Sequence, residues 1–277
     1  MTHEEYDPAS HYDRVMEAWG LLLGDELHWG VFSTGDESLE VATGELTTRM
    51  IRAAQLSPGL SVLDIGCGSG APARRLATEH DVTVLGITTS KVGVETATLE
   101  TAQAGVSGVT FEERDGTDNG LPDSSFDRTW VLESSHLMAD RQGLIQECAR
   151  VLKPGGRIAL CDIIRRREVP FAELRARRDD FAVLRAAYGA ARMDTLDQYV
   201  DLMQDAGLVV DEVVDLTQET LPTLDRWRAT ADEHREEVVA LLGQESLDTF
   251  ENSLDILEGF WRDGTLGYGL VSASKPA

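Results

Sequence analysis

Between residues 60 and 164 the chain alternates two kinds of apolar pattern. Short runs rich in β-branched residues, SVLDI (61–65), VTVLGI (82–87), VTFEE (109–113), FDRTWVL (126–132) and RIALCDI (157–163), predict strands. The stretches between them carry helical spacing. APARRLATEH (71–80) and KVGVETATLETAQAG (91–105) are two such stretches, and a third places Leu144, Ile145, Cys148, Val151 and Leu152 on one face. The third stops at KPGG (153–156), where Pro and Gly end the helix and turn the chain into the next strand. Strand–helix alternation of this kind predicts an α/β fold: a doubly wound, Rossmann-like, mostly parallel sheet with helices on both faces.

The pattern changes on either side of this core. Residues 1–59 are helical and aromatic-rich and read as an N-terminal lid, with the cofactor-type core spanning 60–164. Residues 165–193 read as an inserted cap helix, and 194–217 return to the core through a helix (TLDQYVDLMQDAG) and a strand (LVVDEVVDL). Residues 218–264 form a helical cap, and 265–277 supply a last core strand in LGYGLVSASK. No repeat or low-complexity tract interrupts the 277 residues.

Charge narrows the partners. With 25 Lys and Arg against 49 Asp and Glu, the net charge of −24 disfavours nucleic acid and anionic membrane surfaces as ligands. The three cysteines, Cys67, Cys148 and Cys161, are dispersed and form no C-x-x-C pair. That usage fits a reducing, cytoplasmic setting and no structural zinc site. No metal is expected, since no His, Cys and carboxylate cluster has ligand spacing. The start, MTHEEYDPAS, lacks the basic and apolar regions of a signal peptide, and no run reaches membrane-spanning length.

The chemistry gathers at VLDIGCGSG (62–70). A strand ending in an acid, followed by three glycines in five residues and a helix, is the local form of a nucleotide-cofactor loop. GCGSGA also satisfies the dinucleotide pattern G-x-G-x-x-A. The second strand ends in GITTSK, however, with Thr88 and Ser90 where an NAD enzyme usually has an acid. Lys91 leaves an NADP-dependent oxidoreductase open as an alternative.

Taken in order, D-x-G-x-G-x-G, RDGTDNGLPDSSFD (114–127) and LKPGG (152–156) resemble the class I S-adenosylmethionine (SAM)-dependent methyltransferases over roughly residues 20–215. The resemblance is to the small-molecule branch: ubiquinone/menaquinone, tocopherol, sarcosine/dimethylglycine and antibiotic sugar O-methyltransferases. It implies SAM as cofactor, S-adenosylhomocysteine (SAH) as product and a small-molecule acceptor, with a homo-oligomer allowed. By the same resemblance Asp64, Gly66, Cys67 and Gly68 lie along SAM, and Thr88, Thr89 and Ser90 meet its ribose. Asp115 and Gly116 meet the adenine edge, Leu132 follows the fourth strand, and Tyr12 is a candidate for the carboxylate end. Where the family often has Gln after G-I-T-x-S, this chain has Gly93. LHWGVF (27–32) matches the family's lid element, which makes His28, Trp29 and Phe32 candidate substrate residues, and Trp19 in the earlier HYDRVMEAW (11–19) is another; core packing is the alternative for these aromatics.

Ligands of open parallel sheets sit at the carboxyl ends of the strands, where VLESSHLM (131–138) follows the fourth. A hydroxyl nucleophile gains from a base near neutral pKa, and His136 has that range. Glu133 is a candidate to orient His136, or to face a cation if carbon is methylated. The cap carries Arg165, Arg166, Arg167, Arg175, Arg177, Arg178, Arg185 and Arg192, which pair with surplus acids on a solvated face or, alternatively, clamp an anionic substrate. The expectation is methyl transfer to an O or C atom of a natural-product or quinone-like acceptor. The remaining alternative is a SAM-binding protein that transfers no methyl group, such as a sensor or cyclase.

Overall fold

The computed structural model describes residues 8–24 and 26–277, with side chains from Val15 onward. Tyr12 therefore lies outside the described side chains. Seven strands form one sheet: β1 (Ser61–Ile65), β2 (Thr83–Thr88), β3 (Val109–Glu113), β4 (Phe126–Leu132), β5 (Leu152–Arg165), β6 (Val209–Asp215) and β7 (Leu266–Ser274). Their order is β3-β2-β1-β4-β5-β7-β6. Strands β1 to β5 pair in parallel, and β7 runs antiparallel to both β5 and β6. The sequence reading of a mostly parallel doubly wound sheet is what the chain adopts.

The first helices are α1 (Pro8–Leu23) and α2 (Leu39–Ala54), then α3 (Ala71–His80), α4 (Lys91–Gln103) and α5 (Arg141–Val151) of the core. The stretch 165–193 holds two helices, α6 (Phe171–Ala176) and α7 (Arg178–Tyr188), rather than one. They are followed by α8 (Leu196–Asp205), α9 (Thr217–Thr220), α10 (Thr223–Glu233), α11 (Arg235–Leu242) and α12 (Gln244–Arg262).

Alternation along the strands divides the core in two, because successive side chains leave a strand on opposite faces. Val62, Trp130, Ala159, Cys161 and Leu270 pack into one cluster with Leu46 and Met50 of α2 and Phe260 and Trp261 of α12. Leu63, Val131, Ile158, Leu160 and Val271 pack into the other with Leu144 and Cys148 of α5 and Tyr199 and Met203 of α8. The sheet order reverses between β1 and β4, which opens a crevice at their carboxyl ends.

Candidate active site

A cavity of about 1010 Å³ fills that crevice and runs on beneath α6 and α7. This is the upper end of ligand-site volumes, which are roughly 300–1,000 Å³. Its two ends differ. Asp64, Gly66, Cys67, Gly68, Thr88, Thr89, Ser90, Asp115 and Gly116, together with Leu132, line the end at the strand tips. Apolar side chains of the lid and cap, among them Leu23, Phe181, Leu184 and Trp227, line the other together with Ile163 of β5.

At the strand tips, Asp64 is 3% exposed and its Oδ2 has no hydrogen-bond partner among the described residues. Burial pushes its pKa up to about 7. An acceptor atom this isolated is ready for an N–H or O–H donor from a ligand. The glycines divide their roles. A Cβ on Gly66 would lie 2.2 Å from the Ser134 Cβ, so Gly66 makes room for the chain's own backbone turn after β4. Gly68, with φ +52°, lines the cavity itself. Ser90 caps α4, its hydroxyl accepting the Gly93 N–H at 2.7 Å, which is a local use for glycine at 93. Asp115 Oδ1 accepts the Thr117 N–H and hydroxyl, both at 2.8 Å.

After β4 the chain turns sharply. Glu133 takes φ +49°, and Ser135–Leu137 form a short 3-10 turn. The turn is pinned from beneath by Arg141 at the start of α5. Its guanidinium, 5% exposed, donates to the carbonyls of Ser135, Met138 and Arg192 and to Asp194 Oδ2 at 2.8 Å. The turn presents His136 to the cavity with its Nδ1 2.6 Å from Asp162 Oδ1. Since a carboxylate only accepts, Nδ1 carries a proton, and in the neutral imidazole Nε2 is the nitrogen that keeps its lone pair. No protein partner occupies Nε2 among the described residues.

Asp162 is fully buried in β5. Burial pushes its pKa up, but the charge and hydrogen bonds of His136 and the hydroxyl of Ser135 outweigh it and hold the carboxyl below its ordinary value. Burial likewise opposes a charge on His136, and Asp162 outweighs it, holding the imidazole above its ordinary value. Asp162 is a site residue the sequence did not single out. The signal available was a lone carboxylate within the apolar run RIALCDI.

Glu133, a candidate to orient His136, is held elsewhere. Its Oε1 accepts the Trp29 N–H at 2.8 Å and the Tyr268 hydroxyl at 2.5 Å. Burial raises its pKa to about 7 against the pull of His28 and Tyr268. Glu133 and His136 nevertheless both line the cavity.

The lid candidates separate by contact. Trp19 lines the cavity 6.3 Å from the ring of Tyr188. Trp29 touches the cavity but is 2% exposed, stacked on Trp261 at 4.4 Å with Trp227 edge-on at 4.8 Å. His28 is also 2% exposed. Its two ring nitrogens sit 2.8 Å from the Trp29 carbonyl and 2.9 Å from Glu26 Oε2, so protein groups occupy both. Phe32 is buried beside Gly30 and Arg226 and is not among the residues lining the cavity.

The cap arginines are largely paired within the protein. Arg165 meets Glu168, Arg166 meets Asp215, Arg167 meets Glu173, Arg177 meets Asp263 and Arg178 meets Asp179. Arg165, Arg185 and Arg192 line the cavity. Among the described residues, no group of three or more His, Cys, Asp and Glu is placed to hold a metal ion. No helix among them is long and apolar enough to cross a membrane.

Comparison with known proteins identifies the family. The mycolic acid cyclopropane synthetase profile matches residues 1–268. The 27-O-demethylrifamycin SV methyltransferase of Amycolatopsis mediterranei is 36% identical over 266 residues, covering 96% of this chain and 95% of that protein. The (+)-O-methylkolavelool synthase of Herpetosiphon aurantiacus is 28% identical, covering 97% and 93%. Among solved structures, the [4+2]-cyclase SpnF superposes with a TM-score of 0.82 at 25% identity, covering 97% and 96%. The mycolic acid cyclopropane synthase CmaA1, in complex with SAH and CTAB, shares the fold with a TM-score of 0.85 at 21% identity, covering 96% of each chain. The family match decides between the two cofactors that the glycine loop left open. The chain belongs to the mycolic acid cyclopropane synthetase family of SAM-dependent methyltransferases.

Proposed function

We propose that this methyltransferase acts on a hydroxyl oxygen of a bulky, mostly apolar natural-product alcohol, with His136 as general base. The observation that carries this is the His136–Asp162 pair: a buried carboxylate fixes the tautomer and leaves Nε2 facing the cavity. Relatives named for O-methylation of a rifamycin and of kolavelool support an oxygen acceptor. The apolar lining beneath the cap supports a bulky apolar body.

SAM, when bound, supplies a methyl group already activated on a sulfonium. The protein's work is then to align, desolvate and accept one proton. Asp64, Gly66, Cys67, Gly68, Thr88, Thr89, Ser90, Asp115, Gly116 and Leu132 hold the cofactor end. Trp19 and the cap residues shape the acceptor end. His136 Nε2 would take the proton of the acceptor hydroxyl as that oxygen is methylated. Asp162 faces the imidazolium that results and offsets its charge.

His136→Ala tests this directly. Turnover of a macrocyclic or terpenoid alcohol, followed as SAH release, should fall by about 10²–10⁴-fold, the usual worth of a positioned base. SAH affinity should stay within a factor of two or so, because His136 is not assigned to the cofactor. Turnover near wild type in His136→Ala would remove the base from the mechanism.

A further inference from the structure

The His136–Asp162 pair does not end at Asp162. The carboxylate accepts four donors: His136 Nδ1–H at 2.6 Å, the His136 backbone N–H at 3.0 Å, the Ile163 N–H at 2.7 Å and the Ser135 hydroxyl. Ser135 is fully buried, and its Oγ lies 2.6 Å from the hydroxyl of Tyr199. A serine hydroxyl has one proton. Ser135 gives that proton to Asp162, so the proton between Ser135 and Tyr199 belongs to Tyr199. The direction is fixed: Tyr199 donates to Ser135, and Ser135 donates to Asp162. Tyr199 is placed for this by the first turn of α8. There the Thr195 hydroxyl accepts the Gln198 N–H at 3.2 Å, and Gln198 Oε1 accepts the Thr195 N–H at 2.9 Å. The tyrosine is fully buried on the sheet face opposite the lid.

We propose that Ser135 and Tyr199 are positioning residues that temper the basicity of His136 through Asp162. This rests on His136 being the base. A bare buried carboxylate against an imidazole directs its whole charge at one N–H and holds the imidazole in its charged form. Each additional donor on the carboxylate draws part of that charge away from His136, and donors in series polarise one another. A general base works best with a pKa close to the working pH, so tempering keeps Nε2 unprotonated and available. Other charged groups face the same imidazole. Glu133 at the end of β4 adds to Asp162, and Arg141 of α5 opposes it. Asp194, before α8, is neutralised by Arg141, and Arg192 and Arg185 line the cavity from the cap. None of these touches Asp162, so the Tyr199–Ser135 chain is the tuning element that reaches the carboxylate itself.

The test reads His136 directly. The protein has six histidines, and selective 13C-histidine labelling, with His136→Gln to assign the signal, gives the His136 titration by NMR in SAH-saturated protein. Tyr199→Phe removes one oxygen from a buried site, and Ser135→Ala removes the donor on Asp162 itself. The titration midpoint should rise in Tyr199→Phe and rise further in Ser135→Ala, the latter by roughly three- to tenfold in proton affinity. With a methyl acceptor present, the acid limb of kcat/KM should move to higher pH by the same amount while SAH affinity holds. A midpoint unchanged or lowered in both folded variants overturns the proposal. Because the titration needs no acceptor, it is decided separately from the His136→Ala turnover assay.

Discussion

Replacing Asp64 by Asn is the most direct probe of the cofactor end, and its size follows from the structure. Asp64 is 3% exposed, Oδ2 has no protein partner among the described residues, and burial pushes the carboxyl up to about 7 from an ordinary 3.8. A rise of roughly three units means that ionising the group in place costs about 4 kcal/mol. An N–H or O–H of a ligand that reaches Oδ2 favours the ionised form and recovers part of that cost. Binding therefore expels a proton wherever the free protein holds Asp64 neutral. Affinity rises with pH up to the free-state pKa and levels above it. With a midpoint near 7, roughly a tenth of Asp64 is ionised at pH 6 and nine tenths at pH 8, so the Kd for SAH should fall about tenfold between them. Calorimetric titration of SAH at pH 6, 7 and 8, in two buffers of different ionisation enthalpy, reads both the affinity and the proton released. Asp64→Asn should bind about 10–100-fold more weakly at pH 8, the worth of a hydrogen bond to a charged group, and should lose the slope. Glu133→Gln, whose carboxyl also sits near 7 on the same cavity, should keep it. A flat Kd in wild type, or a slope that survives in Asp64→Asn, refutes the assignment.

Two further outcomes concern the lid. Trp29→Ala empties a site walled by Trp261, Trp227 and Tyr268 and should cost about 3–5 kcal/mol, a Tm drop of roughly 6–20 °C by thermal denaturation; a drop under about 3 °C would mean that the lid is not packed into the cap. Glu26 is held at about 2 against the penalty of burial by His28, Thr47 and Arg75, so its contribution is present above the ordinary value of 4.5 and is lost as pH falls toward 2. His28, raised above 6.5, contributes below that value and loses it as pH climbs through its folded pKa. Urea unfolding of wild type and Glu26→Gln should differ by about 3 kcal/mol near pH 5 and converge on acidification. A difference that does not change with pH contradicts the pairing.

Much of this was legible in the chain. Short, nearly continuous apolar runs at 61–65, 82–87 and 126–132 located strands because these central strands are buried on both faces, and the glycines at 66, 68 and 70 located the turn beside the cavity. His136 was legible because it follows a strand tip by four residues. Its partner was not, since Asp162 is 26 residues away and reaches it only when β4 and β5 pair. Glu133 stood near His136 in sequence, yet the left-handed turn at 133 delivers its carboxylate to Trp29 and Tyr268, 104 and 135 residues distant. Trp29 and His28 read as substrate residues from a local motif. Their partners Trp261, Trp227 and Thr47 come from α12, α10 and α2, contacts that no local spacing encodes.

The place of β7 bears on how the molecule is made. It is synthesised after every other strand, yet it lies between β5 and β6 and pairs with both. Until it emerges, the nascent chain carries a parallel half-sheet whose β5 edge has open N–H and C=O groups, and a β6 with no neighbour. Such edges invite pairing with other chains. Glu133 also lacks its Tyr268 partner until then. A chain ended before residue 266 is therefore expected to keep two unpaired edges and a Glu133 without its Tyr268 partner, and to stick to other chains rather than act as a slow catalyst.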